Sequence, residues 1–325
     1  MESKHLIFIS DHYHLYSVLN CEIHEYDAIW NDEAGKCRFC GTQDPNLFKN
    51  KSHTIPYALG NMFVLSPFEC DNCNRVFKKY DDSLINFVGQ IRAYLNPEMG
   101  GKKRRLPSFE IRESKGKIVQ TGKATVTYDP DKKIIKDSED GKTTLQTLRK
   151  YPYYPDRVYK ALLKIFLSVI DYPTFLSYKN SLEYLMNDVI NEKIESHGKI
   201  VMDEFETNDV FFEPPRVYIF KKLNDDLDVS EYAMAFCFAN KVFYFFPYKN
   251  NDNVKHFLPE IKLTFHVQGN QGLIPKHQTS IVNLNGKEKI TEDIETIGIE
   301  VISEPVVKTF NDEEHRELLK ILGIE

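Results

Sequence analysis

No stretch of this 325-residue chain approaches the roughly 18–20 consecutive apolar residues that span a bilayer, so no membrane partner is expected. The apolar segment 5–9 is followed at once by Asp11, His12 and His14, and reads as a short strand, not a signal peptide. Cysteine is scarce: six residues in so long a chain do not make a secreted disulfide scaffold. Four of the six fall in two C-x-x-C pairs, which suits a reducing, cytoplasmic setting, while Cys21 and Cys237 stand alone as small core residues. Neither a phosphate-binding glycine loop nor any other cofactor fingerprint occurs, which argues against ATP hydrolysis. There is no internal repeat and no low-complexity tract. Tryptophan is reduced to Trp30, yet 22 Phe and 18 Tyr supply ample apolar surface for an ordered core.

A formal net charge of -6 disfavours a nucleic-acid partner at first sight. The total hides an asymmetry. Residues 36–105 carry 12 lysines and arginines against 6 acidic residues, whereas the segments on either side are acidic. A polyanion would dock on the segment that also holds the cysteine pairs.

Four regions follow from the pattern: an N-terminal extension over 1–35, a compact module over 36–105, a short antiparallel β-meander over 106–150, and an α+β regulatory or dimerisation domain over 151–325. In the module, apolar residues recur at helical spacing from Val76 to Leu95, and Asn96-Pro97 ends that pattern. Beyond 151, helical periodicity over 158–170 and 182–190 gives way to aromatic and β-branched runs at 210–212, 217–220, 232–239, 242–246 and 261–267, with a last helix over 313–322. Helices first and strands after predict an α+β fold with a mostly antiparallel sheet.

Cys37/Cys40 and Cys70/Cys73 each present two thiols from one tight turn. Together they match the closed tetrahedral set that structural zinc prefers. Such a site offers no open position, so any chemistry lies with other residues. Ser52-His53-Thr54-Ile55-Pro56 lies between the pairs, and Asn74 follows the fourth cysteine. The loose set His5, His12, His14 and His24 has no fixed framework and is left unassigned.

Cys-Arg-Phe-Cys, Ser-His-Thr-Ile-Pro, Leu-Gly-Asn and Glu-Cys-Asp-Asn-Cys-Asn, in that order over residues 37 to about 90, resemble the HNH endonuclease superfamily. The resemblance implies a ββα-metal module, His53 as general base and Asn74 as ligand of a catalytic Mg²⁺ or Mn²⁺, separate from the structural Zn²⁺. It further implies a metal-dependent DNA endonuclease, resembling bacterial defence proteins that act on foreign DNA. Histidine chemistry agrees, since a group titrating near 6.5 can take a proton from water at neutral pH.

The position before the histidine is acidic in most of that superfamily and is Ser52 here. Asp81 and Asp82, about two helical turns beyond Asn74, are the candidates to supply the missing carboxylate, directly or through water. Lys78 and the loop Lys102, Lys103, Arg104 and Arg105 are expected to contact phosphates, with Arg75, Lys79 and Arg92 extending the patch. Asn61 is the one asparagine in the interval where many relatives carry an orienting asparagine. The competing reading is a catalytically inactive zinc module that grips nucleic acid or protein. The C-terminal region could take a regulatory ligand, a partner protein or a second copy of the chain.

Overall fold

The computed structural model describes residues 5–21, 32–33, 35–89, 108–111, 116–121, 123–127, 135–137, 143–148, 152–187, 198–205, 212–249, 258–267, 270–273, 277–291 and 294–299. Arg92, the 102–105 loop, His24, Trp30 and the expected helix over 313–322 lie outside these residues. The fold is mixed helix and sheet, and its strand pairs are antiparallel. Among the described residues no helix is long and apolar enough to cross a membrane.

The strands are β1 (His5–Ile9), β2 (Tyr13–Asn20), β3 (Ser108–Ile111), β4 (Gly116–Thr121), β5 (Lys123–Thr127), β6 (Ile135–Asp137), β7 (Thr143–Leu148), β8 (Lys199–Phe205), β9 (Phe212–Lys222), β10 (Tyr232–Ala239), β11 (Lys241–Phe245), β12 (Lys262–Val267), β13 (Asn270–Leu273), β14 (His277–Asn283) and β15 (Ile294–Ile299). Six form the central sheet, in the order β14-β8-β11-β10-β9-β2. The helices are α1 (Asp71–Val88), α2 (Pro155–Val169), α3 (Tyr172–Leu176) and α4 (Lys179–Asn187).

Every residue of β10 is buried, so the sheet is covered on both faces. Side chains alternate across a strand. Met234, Phe236 and Phe238 therefore join one core with Phe243 and Phe245 of β11, α2 and the cysteine module. Ala233, Ala235 and Cys237 join a second core with Val242, Tyr244 and Phe220. There Phe8 of β1 packs on Tyr218 and Phe220 at ring distances of 4.6 and 5.1 Å.

α2 is the inner pillar. Residues 158–168 are all buried, as expected for a helix enclosed between a sheet on one side and a second layer on the other. Pro155 opens it with a preset φ and no wasted N–H. Its C-terminal carbonyls meet Arg38, from inside the first cysteine pair. The Arg38 guanidinium donates to the Leu167 and Ile170 carbonyls at 2.8 and 2.9 Å, pairs with Asp32, and lies over the Phe68 ring at 4.0 Å. A cation at a helix C-terminus satisfies orphan carbonyls and complements the dipole.

Several sequence readings are amended. The helix read through Leu95 stops at Val88, where Gly89 takes φ 73°, a conformation that glycine enters without a Cβ clash. The single meander splits, because β3-β4-β5 stand together while β6 and β7 pair with the distant β15. The run at 217–220 and Phe212 belong to one strand, β9, while 210 and 211 lie outside the described residues. Pro214 and Pro215 sit where its register against β10 skips between Cys237 and Ala239, so they withdraw no ladder donor. β2, β7, β8, β13, β14 and β15 lie outside the strand runs expected from the sequence.

Arg38→Ala would strand the Asp32 carboxylate and the α2 carbonyls. A loss of about 3 kcal/mol or more in urea-denaturation stability is expected.

Candidate functional site

The knuckles fold by backbone geometry. In the first, Gly41 N–H returns to the Cys37 carbonyl at 2.8 Å, with Gly41 at φ 75°. Arg38 N–H donates to the Phe68 carbonyl at 2.8 Å, which joins the first knuckle to the second. Cys70 is the N-cap of α1, and Asp71 in its first turn accepts from the Lys49 and Asn50 N–H groups. The four Sγ atoms lie within 4.8 Å of one another, with Cys37–Cys73 at 3.7 Å and Cys40–Cys70 at 3.6 Å. Four sulfurs at about 2.3 Å from a tetrahedral zinc stand about 3.8 Å apart, so the cluster has the size and donor type that zinc fits.

The protonation pattern agrees. The Cys73 thiol and nearby backbone N–H groups pull Cys37 down to about 4, whereas burial and that thiolate push Cys40 up to about 11. Cys73 is raised by its bond to Cys37 and by burial. Four crowded sulfurs do not all ionise without a cation among them.

Between the knuckles a short hairpin forms. Thr54 N–H donates to the Val64 carbonyl at 3.2 Å, Ser66 N–H to the Ser52 carbonyl at 2.8 Å, and His53 bridges Leu65. The Thr54 and Ser66 hydroxyls meet at 3.0 Å. The loop turns at Gly60, φ 94°, and is closed by Asn61. The Asn61 carboxamide donates to the Ile55 and Val64 carbonyls at 3.0 and 2.9 Å and accepts from Val64 N–H at 2.9 Å. The bridged loop 52–66, the second knuckle and α1 thus follow one another along the chain.

His53 sits half-buried on this hairpin, its ring edge-on to Tyr57 at 5.2 Å. Its Nδ1 is buried and has no hydrogen-bond partner. Burial and the Lys164 ammonium hold the imidazole below its ordinary 6.5, and hydrogen bonding toward the Asn61 backbone only partly offsets them. At neutral pH the ring is therefore a free base.

The side chain that fixes this strand comes from α2. Lys164 Nζ donates to the His53 carbonyl at 2.6 Å and the Thr54 carbonyl at 3.2 Å, and stands 3.4 Å from Glu69, both side chains being 1% exposed. Burial outweighs the Lys164 attraction and raises Glu69 to about 7. Asp81 turns inward toward the same ammonium, and burial lifts it to about 6. Glu69 and Lys164 were missed in the sequence. Their signals were an acid adjoining Cys70 and a lysine inside a helix apolar on every side.

The other expected site residues are dispersed along α1. Asn74 is half-buried at its start, and Lys78 and Asp82 are exposed, as are Arg75 and Lys79. Asp81 shares the Asn74 stripe but stands two turns on, about 10.5 Å of rise. Ser52 is 3% exposed with an unpartnered Oγ. Comparison with family models, curated proteins and solved structures gives no match.

Metal analysis of the native protein should find about one zinc per chain, and Cys73→Ser should lose it together with a cooperative thermal transition. Lys164→Met should cost about 3 kcal/mol by leaving Glu69 alone, and Lys164→Met/Glu69→Leu should recover much of that loss in a double-mutant cycle.

Proposed function

We propose that the chain is an HNH-type, metal-dependent DNA endonuclease, with His53 as general base beside a structural zinc held by Cys37, Cys40, Cys70 and Cys73. What supports this reading is the placement of a half-buried His53 on a backbone-bonded loop that leads through the second knuckle into the helix capped by Cys70. In-line hydrolysis of a phosphodiester requires a water that loses a proton as its oxygen bonds phosphorus and the bond to the leaving oxygen breaks. His53 accepts that proton at Nε2. The Asn61 loop and the Lys164 bonds to the His53 and Thr54 carbonyls fix the backbone that carries the ring.

A hard divalent ion suits the oxygen donors that flank this hairpin. They are the Asn74 carboxamide, the unpartnered Ser52 hydroxyl, and the carboxylates of Glu69 and Asp81, which supply the acid absent at position 52. Bound there, Mg²⁺ or Mn²⁺ supplies neutralisation of the charge that grows on the phosphoryl and leaving oxygens. Lys78 and its exposed basic neighbours on α1 offer phosphate contacts that position DNA without reading its sequence. A role as a defence effector, with the C-terminal region responding to a ligand, a partner protein or a second copy, completes the proposal.

The inactive-module reading draws on Ser52 and on Lys164, whose ammonium already neutralises part of the carboxylate charge. Divalent-dependent relaxation of supercoiled plasmid separates the two. Wild type should cut with Mn²⁺ or Mg²⁺ and stop with chelator, and His53→Ala should lose at least about 100-fold while keeping its zinc and its thermal transition. Full activity of His53→Ala would remove the base. Because the His53 pKa is lowered, the acid limb of kcat/KM should lie below pH 6.5, activity persisting below neutrality and falling only as pH drops through the lowered value. An acid limb above 6.5 would contradict the assigned environment.

A further inference from the structure

Away from His53, where the N-terminus of α2 meets α1, α4 and the segment after β14, the surface forms a half-open cavity of about 330 Å³. That volume lies at the lower end of those that bind small molecules, about 300–1,000 Å³. Its charge is one-sided. Lys79, Arg157 and Lys287 line it, against the single carboxylate of Asp156. A fourth cation stands close by: Lys160, 1% exposed, with Nζ 4.4 Å from the Tyr184 ring centre and 5.4 Å from that of Tyr80.

Three cations brought to one cavity repel one another, and folding tolerates this where the cavity meets an anion. Lys160 registers the strain. Burial, and then the charges of Lys79, Lys287 and Arg157, lower it to about 8 despite Asp156. The positive end of the α2 dipole points the same way, since its N-cap, Tyr154, supplies no side-chain bond. The Arg157 guanidinium carbon stands over the Tyr154 ring, 3.9 Å from its centre.

Asp156 adds a second demand. Its Oδ1 is buried and accepts no hydrogen bond, although it belongs to a residue lining the cavity. A bare inorganic anion would leave it so. A ligand that also carries a hydroxyl or amino donor would satisfy it.

We propose that this cavity binds a small phosphorylated molecule of mononucleotide size, its phosphate held by Lys79, Arg157 and Lys287 and its hydroxyl or amino donor received by Asp156. The assignment is independent of the His53 reading, and His53→Ala should bind such a ligand as wild type does. A phosphate of a nucleic-acid backbone shares the anionic chemistry but would have to enter a recess, so the free ligand is the source favoured.

The test is isothermal titration of the full-length protein with adenosine 5′-monophosphate, with adenosine and inorganic phosphate as controls. Lys79 and Lys287 are exposed, so Lys79→Glu and Lys287→Glu reverse charge without touching the core. Wild type should bind the monophosphate more tightly than either control, and each reversal should weaken it at least about tenfold with an unchanged thermal transition. No saturable binding of the monophosphate, or binding that both reversals leave intact, overturns the proposal. If the monophosphate fails but Lys287→Glu weakens binding of a short DNA duplex, the cavity belongs to a nucleic-acid backbone and the small-ligand assignment is likewise overturned.

Discussion

A single buried ammonium, that of Lys164, ties the parts of this molecule together. It rises from a helix surrounded by apolar residues and spends its donors on the carbonyls of His53 and Thr54 and its charge on Glu69. Burying such a charge is costly unless it is paired and hydrogen-bonded, and this site meets both conditions. The hairpin, the second knuckle and the central sheet are thereby held to one another through α2. Arg38 repeats the device at the far end of the helix, where it answers the carbonyls of Leu167 and Ile170. Lys164 from α2 and Arg38 from the first knuckle thus bind the cysteine module to the helix at two places.

This arrangement separates the duties of the site. The four sulfurs carry geometry alone, because a closed thiolate set leaves no position for substrate. They fix Cys70 as the start of α1 and so set where Asn74 stands. The imidazole of His53 gains its neutral state from elsewhere, from burial and from the same Lys164 that holds its backbone. One side chain therefore serves stability and, in the proposed reaction, basicity. Asn61 closes the loop with three hydrogen bonds to the Ile55 and Val64 backbone.

The parts legible in the sequence were those written in local signals. Two C-x-x-C pairs at one spacing, a helical stripe after Cys73 and a β-rich second half all have counterparts in the structure. What escaped depended on contacts between distant segments. Glu69 looked like a knuckle acid and Lys164 like one charge in an apolar helix, and neither shows its partner in the primary structure. Gly89 ended α1 before its apolar periodicity ran out, since one positive φ overrides a pattern. Pro214 and Pro215 appeared to divide a strand that passes through them as an irregularity. Asp81 and Asp82 seemed interchangeable, yet one turns toward Lys164 and the other toward solvent.

The reading of this molecule as a nuclease rests on two metals with different donors placed on either side of one helix start. Anomalous diffraction from manganese-soaked crystals, recorded at the zinc and manganese edges, tests this most directly. The account predicts a zinc peak amid the four sulfurs and a manganese peak beside His53 and Asn74. Zinc held by fewer than four sulfurs, or manganese nowhere near that histidine, would contradict it.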